Sequence, residues 1–361
     1  MAIRDYLAEM QAVRDEIHEA KSDQERPDRV TAMGGFFQRA RYAFRLILSE
    51  PEIIVFALLQ WVFIGLGYFL WVQMLAWIPE PVWEAAVESD GAGIADIVLL
   101  LWSFVCVGLV ALPVGLLSAA MGAVHFLHRQ GRPANLAACL RLVLPNAWPI
   151  WVFSWVDGWW TVMRILDRLP KRNDTRSWSE KAVSEAIYQA WKMGTMGMLP
   201  AMVTGKGLIE SGRQSVRFVT ARFRDVAMLR LGYSGLCWVV GILAYVGAIV
   251  FLAAGPGSVN FDDSVASQMF VIYFWAGVPL VIAVGVVLLV LRPIYLISAC
   301  DLYSDYLQEN GKTVSLGESP SRPVSVAVSF AVLCLAVLVV FVYRDALGIT
   351  EWLSTPSAGV Q

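Results

Sequence analysis

A chain of 361 residues that is 57% hydrophobic and 16% charged, with a mean hydropathy of +0.58, carries too little charge for soluble domains, where about a quarter of residues are charged. Several apolar runs exceed the ~18 to 20 residues that cross a bilayer, so the expected fold is an all-α polytopic integral membrane bundle. The formal net charge of −2 gives no support to nucleic-acid binding, and five scattered cysteines (Cys106, Cys139, Cys237, Cys300, Cys334) without a CxxC suggest neither a disulfide framework nor a thiolate metal site.

Residues 1–30 read as a cytosolic amphipathic helix. Ile3, Tyr6, Met10, Val13, Ile17 and Ala20 recur every three or four residues among charged neighbours, and Pro27 ends the pattern. That seam suits a protein partner or self-association, and equally a solvated helix on the protein's own surface. No apolar h-region is present, so no cleavable signal peptide is expected. Residues 36–48 mix Phe36, Phe37, Tyr42 and Phe44 with Arg39, Arg41 and Arg45, the composition of an interfacial helix. Ser49-Glu50-Pro51-Glu52 then reads as a capping box opening a span over about 52–78.

The connection 79–93 holds Glu80, Glu84, Glu88 and Asp90 and no basic residue, which places it outside by the positive-inside rule. The next run, about 94–127, is too long to stand upright, so it must tilt, kink at Pro113 or project. Ala111, Gly115, Ala119 and Ala123 form a small-residue ridge on it, suited to close helix packing. Further spans are expected at about 231–254, 269–298 and 326–343. An acidic outer loop with Asp262 and Asp263 separates the first two, and 299–325 reads as a cytosolic loop. Residues 346–361 form the tail. These spans put the N-terminus in the cytoplasm and the C-terminus outside.

Two more segments, 143–163 and 186–205, are apolar enough to cross. The loop between them holds Arg164, Arg168, Lys171, Arg172, Arg176 and Lys181, which strains the charge rule if that loop lies outside. Either both cross, or both enter from the cytoplasmic side as re-entrant or in-plane helices. The Trp-rich stretch around Trp148, Trp151, Trp155, Trp159 and Trp160 suits an interface, and a helical hairpin at least partly in the membrane is the reading taken. The bundle, about 52–345, therefore has five spans plus this element.

Candidate sites are few. Residues 206–230 read as one basic amphipathic helix, and Lys206, Arg213, Arg217, Arg222 and Arg224 make it a candidate anionic-lipid site; ordinary topogenic charge explains the same residues. Asp157 is the lone acid in an apolar segment, either an intramembrane carboxylate partnered by Lys192 or Arg164, or an interfacial acid in a turn beside Gly158. With Trp155, Trp159 and Lys192 it marks a candidate transport pathway. His125 and His128 share a helix face, but with His18 as the one other histidine, no metal or other cofactor is expected. No Walker A loop, H-E-x-x-H, G-x-S-x-G or dinucleotide fingerprint is present, so no enzyme activity is expected.

One stretch has a family look. Ala190-Trp191 is followed by Leu199-Pro200, Thr204-Gly205-Lys206-Gly207, Ser211, Gln214-Ser215, Arg222-Phe223 and Leu229-Arg230-Leu231-Gly232, and Phe44-Arg45-Leu46 leads to Pro51 earlier in the chain. This resembles a bacterial polytopic membrane family of unknown function, related to the membrane domain that accompanies some glycerophosphodiester phosphodiesterases. The resemblance covers about half the chain. It implies a bacterial inner membrane and an all-α fold, and it brings no catalytic residues. The expected function is a non-enzymatic membrane scaffold or complex subunit, binding a partner through the N-terminal helix and anionic lipid through 206–230. The alternative is a small-solute or lipid transporter with its pathway near Asp157.

Overall fold

The computed structural model describes residues 29–75, 94–168, 178–254, 277–311, 316 and 323–343. The seam Ile3, Tyr6, Met10, Val13 and Ile17, both acidic connections and the tail lie outside these residues. Among the described residues the structure is helical with no strand. In chain order the helices are α1 (Arg29–Ser49), α2 (Glu52–Leu75), α3 (Ile94–Arg129), α4 (Leu136–Val143), α5 (Ala147–Arg168), α6 (Trp178–Gly194), α7 (Met198–Val203), α8 (Leu208–Ala221) and α9 (Phe223–Ala254). α10 (Gly277–Glu309) and α11 (Pro323–Tyr343) complete the described set. Five stretches are long and apolar enough to cross a membrane: Glu52–Gln73, Leu99–Arg129, Leu136–Arg164, Phe223–Leu252 and Gly277–Glu309. The chain is an all-α multi-pass membrane protein.

Burial divides the long helices into two zones. On α9 the exposed side chains include Leu231, Trp238, Ile242, Val246 and Val250, a stripe that continues to Phe251. At 1.5 Å per residue, Leu231 to Phe251 covers about 30 Å, the thickness of a hydrocarbon core. α10 shows Leu280, Val281 and Val284 in the same way, and α11 shows Val328, Val332, Leu335 and Val339 at helical spacing. This is the belt. Beyond it, every residue of α3 from Leu117 to Leu127 and of α10 from Ile297 to Ser304 is buried. Those stretches are covered on all sides, as only a helix at the centre of a packed layer can be. Around them gather the C-terminal half of α1 and the start of α2, with α4, α7 and α8. The length of 94–127 is therefore resolved by projection: the helix runs through Pro113 unbroken and leaves the belt. The same holds for 299–309, expected as loop, which continues α10 into the packed end.

Small residues allow that packing. Ala119 and Ala123 are wholly buried, a Cβ at Gly115 would overlap Ser154 of α5, and one at Gly122 would reach within 3.0 Å of Cys300 Sγ. Along α5 the contacts run antiparallel to α3. Ile150 and Ser154 lie by Gly115, Trp155 lies on Gly108 and Gly158 meets Val107. Residues 143–163 thus follow α3 through the belt.

The segment 186–205 is not one span. The α6 helix stops at Gly194, and a turn leads to the short α7. Ser215 of α8 pins that turn: its hydroxyl accepts from Gly197 N at 3.0 Å and donates to Gly194 O at 2.6 Å. A Cβ at Gly197 would lie 3.1 Å from the Ser215 Cα. After α7, Gly205 takes φ +92°. Lys206 N then reaches Ala201 O at 3.1 Å while Gly205 N reaches Met202 O at 3.0 Å, the glycine-terminated motif that satisfies the last carbonyls of a helix. Nor is 206–230 one helix. Arg222 adopts φ −122°, ψ 32° between α8 and α9, because it turns to pair with Asp225 and Glu309.

The Ser49–Glu52 box also differs from expectation. Ser49 is the last residue of α1, and its Oγ donates back to Leu46 O at 3.0 Å. α10 contains a π-helical turn at Val287–Leu291. Pro293 follows, and its missing N–H and its ring disrupt the bond to the carbonyl four residues back. The widened turn absorbs that defect just before Arg292.

Candidate functional site

A polar inlay lies between α5, α6, α9 and α10 where the belt meets the packed end. Asp157 sits inside α5, not in a turn beside Gly158, and faces α6. Lys192 Nζ contacts both its carboxylate oxygens at 2.7 Å, and Trp191 Nε1 donates to Oδ1 at 3.2 Å. The ring of Trp191 stacks on Trp160 at 5.5 Å. Two turns along α5 from Asp157, Arg164 pairs with Glu185 and donates to Ser184 Oγ at 2.9 Å.

The inlay continues onto α9 and α10. Arg230 donates from Nε and Nη2 to Gln189 Oε1 at 2.9 and 2.6 Å and lies beside the Tyr295 hydroxyl. Tyr295 in turn packs on Tyr233 at 4.6 Å. Arg292 donates to Ser118 Oγ at 3.1 Å, and Ser118 also accepts from Gln60 Nε2 at 2.7 Å. Asp157 is close enough to act electrostatically on both Tyr295 and Arg292. The acceptors of Arg230 and Arg292 are neutral, and among the described residues neither guanidinium has a carboxylate in salt-bridge range.

A second polar cluster ties the packed end together. Arg39 of α1 lies 3.3 Å from Asp301 and 3.1 Å from Asp305, and Arg129 of α3 lies 3.5 and 3.1 Å from the same two carboxylates. Two cations face two anions one helical turn apart, so the group is balanced and reads as structural cross-bracing. Beside it the Tyr42 hydroxyl meets His125 Nδ1 at 3.2 Å. Burial, reinforced by Asp301, raises the Tyr42 phenol pKa above its ordinary value. His128 Nδ1 contacts Glu50 Oε1 at 3.0 Å. The two histidines therefore engage different partners. Among the described residues no three His, Cys, Asp or Glu side chains gather in a way that would hold a metal.

The outer surface of the packed end is cationic and apolar together. α1 lies across the ends of the long helices: Phe36 abuts Gly232 of α9, Arg39 reaches α10, and Tyr42 reaches α3. Its exposed face carries Phe37, Arg41, Phe44, Arg45 and Leu48, and α1 contains no acidic residue. On α8, Ile209, Arg213, Val216 and Arg217 are exposed while Ser211, Ser215, Phe218 and Val219 turn inward.

Of the residues singled out in the sequence, the structure joins Asp157 to Lys192 and separates both from Trp155 and Trp159. Those two rings face α3: Trp155 donates to Phe104 O at 2.9 Å, and Trp159 packs edge-on against the Phe104 ring. The reason is the 100° step of a helix, which puts 155 and 159 on one face and 157 on another. The basic set divides likewise. Arg217 is exposed, Arg224 is partly covered, Lys206 pairs with Glu210, and Arg222 is held by Asp225 and Glu309. Ala111, Gly115, Ala119 and Ala123 are all buried. Sequence reasoning missed Arg292, Gln189, Tyr295, Ser118 and Gln60, and took Arg230 only as one basic residue of the 206–230 segment. The usable signal was Arg292 and Gln60 lying within otherwise apolar runs. No family model, no curated protein and no solved structure matches this chain.

Proposed function

We propose that this protein is a non-enzymatic component of a bacterial inner membrane that engages anionic lipid at the cytoplasmic surface through α1 and α8. The observation that carries the reading is the exposed face of α1, where Phe37, Phe44 and Leu48 alternate with Arg41 and Arg45 on a helix laid across the ends of the long helices. Apolar side chains entering the headgroup boundary beside basic ones, with no acid to repel phosphate, are the chemistry of an interfacial helix. Near an anionic leaflet each basic residue contributes about 1 kcal/mol.

The exposed part of the 206–230 set, Arg213 and Arg217 with Ile209 and Val216, extends the same surface. The concentration of Arg and Lys at the packed end supports the reading that this end faces the cytoplasm, by the positive-inside rule. The seam Ile3, Tyr6, Met10, Val13 and Ile17 is the partner-binding element of this reading, making the protein a scaffold or complex subunit. The resemblance to the membrane domain of certain phosphodiesterases fits it, since it brings a bundle without catalytic residues.

Hydrogen exchange of the full chain in nanodiscs tests the lipid contact. Amides of α1 are expected to exchange more slowly when phosphatidylglycerol is added to phosphatidylcholine, and Arg41→Gln with Arg45→Gln should remove the difference. Equal exchange in both bilayers would refute the reading.

A further inference from the structure

The inlay holds more positive charge than it neutralises. Lys192, Arg230 and Arg292 all belong to the inlay, and its carboxylate Asp157 is taken by Lys192 at 2.7 Å on both oxygens. Arg230 rests on an amide oxygen and Arg292 on a single serine hydroxyl, leaving most of the Arg292 N–H donors uncommitted among the described residues. A cation drawn out of water without a counter-ion is costly, and such groups within membrane helices mark binding sites or pathways. Taken as whole residues, Arg230 and Arg292 are each intermediate between buried and exposed.

Position specifies the ligand further. Arg230 directly precedes Leu231, which is 68% exposed, and Arg292 follows Val290 and Leu291 where the exposed stripe of α10 gives way to the packed end. Both arginines therefore stand at the inner rim of the hydrocarbon belt, the depth of lipid phosphates. Two planar forks with a lysine and a phenol nearby suit an oxyanion that can accept several charge-assisted bonds at once. The π-turn and Pro293 support the same conclusion, since they interrupt the regular helix one residue before and one after Arg292, and π-turns recur at functional sites.

We infer that Arg230 and Arg292, with Lys192 released from Asp157 as the third cation, form a binding site for a phosphate-bearing anion at the inner rim of the belt. The site is separate from the α1 surface and does not depend on it. Its ligand is either the headgroup of an anionic lipid or a free phosphate. Asp157 acts as the resident counter-ion that holds Lys192 until the ligand arrives.

The test is native mass spectrometry of the full chain, titrated in one arm with phosphatidylglycerol and in the other with inorganic phosphate. Binding of the lipid alone identifies a headgroup site, and phosphate binding that competes with the lipid identifies a free-anion site. Arg292→Gln and Arg230→Gln are each expected to weaken binding about tenfold, the worth of one charge-assisted bond. Asp157→Asn should strengthen it by removing the competing charge, and the exposed Arg132→Gln should leave it unchanged. Should a glutamine variant fail to fold, Arg292→Lys, which keeps the charge and loses the fork, is expected to show a partial loss. Absence of binding in both arms, or equal binding by folded Arg230→Gln, Arg292→Gln and wild-type protein, overturns the inference.

Discussion

Breaking the Asp157–Lys192 pair perturbs the inlay at the ion pair nearest Arg230 and Arg292 in its network. The side chain of Asp157 is 28% exposed and that of Lys192 20%, with Nζ 2.7 Å from Oδ1. An exposed pair contributes roughly 0.2–1 kcal/mol, and removing one partner of a wholly buried pair costs about 3–5 kcal/mol. Partial exposure puts Lys192→Met between these limits, at about 2 kcal/mol, because Asp157 would keep only the Trp191 N–H as a donor. Asp157→Asn should cost less, about 1 kcal/mol, since the amide oxygen still accepts from Trp191 and the Lys192 ammonium still lies over the Tyr188 ring at 5.7 Å. The double variant is expected to be more stable than the sum of the singles by about 1–2 kcal/mol, since neither charge is then left alone. Equilibrium unfolding in mixed micelles, followed by tryptophan fluorescence, measures all three. Additivity within about 0.5 kcal/mol would refute the pairing, because independent sites behave that way.

Gly197→Ala should destabilise by about 1–3 kcal/mol, since its Cβ would meet the Ser215 backbone at 3.1 Å and Phe218 at 2.8 Å; a melting curve equal to wild type would show that the turn can move aside. Gly205→Ala should cost about 1–2 kcal/mol through its φ of +92°, measured the same way. Asp301→Asn should cost about 2–3 kcal/mol, because Arg39 and Arg129 would then share Asp305; Arg39→Met in that background should recover part of the loss. Tyr42 carries a pH dependence. Its folded pKa lies above the unfolded value near 10, so the unfolded chain loses its proton first. The tyrosine's contribution is complete below about pH 10 and is lost as the pH rises above it. The stability gap between wild type and Tyr42→Phe should therefore be flat below pH ~10 and shrink above it.

Local pattern was informative where one helix face decides the outcome. The small-residue ridge of α3 and the lone acid at Asp157 were both visible, as was the arginine-aromatic alternation of 36–48. Pattern was misleading where a helix changes environment along its length. Residues 299–309 look polar enough for a loop, yet Asp301 and Asp305 are spent on Arg39 and Arg129, and the helix continues. Residues 186–205 look apolar enough to cross, yet Ser215, far along the chain, binds the backbone at Gly194 and Gly197 and holds the break open. Arg222 likewise interrupts 206–230 because Glu309 from another helix holds its side chain.

Composition alone determined the solvent. With 16% charged residues and long apolar runs, lipid must surround much of the chain, and helices are the open-ended structure that satisfies its backbone there. Tertiary structure decided where lipid ends and packed protein begins, because apolar residues enter a bilayer and a protein core with nearly equal ease. Leu231 and Leu302 read alike in sequence; one is 68% exposed and the other wholly buried. The tertiary fold also decided which charges find counter-ions. Arg129 and Arg292 are both arginines on long apolar helices, and only the packing of α1, α3 and α10 gives Arg129 two carboxylates and leaves Arg292 with a serine.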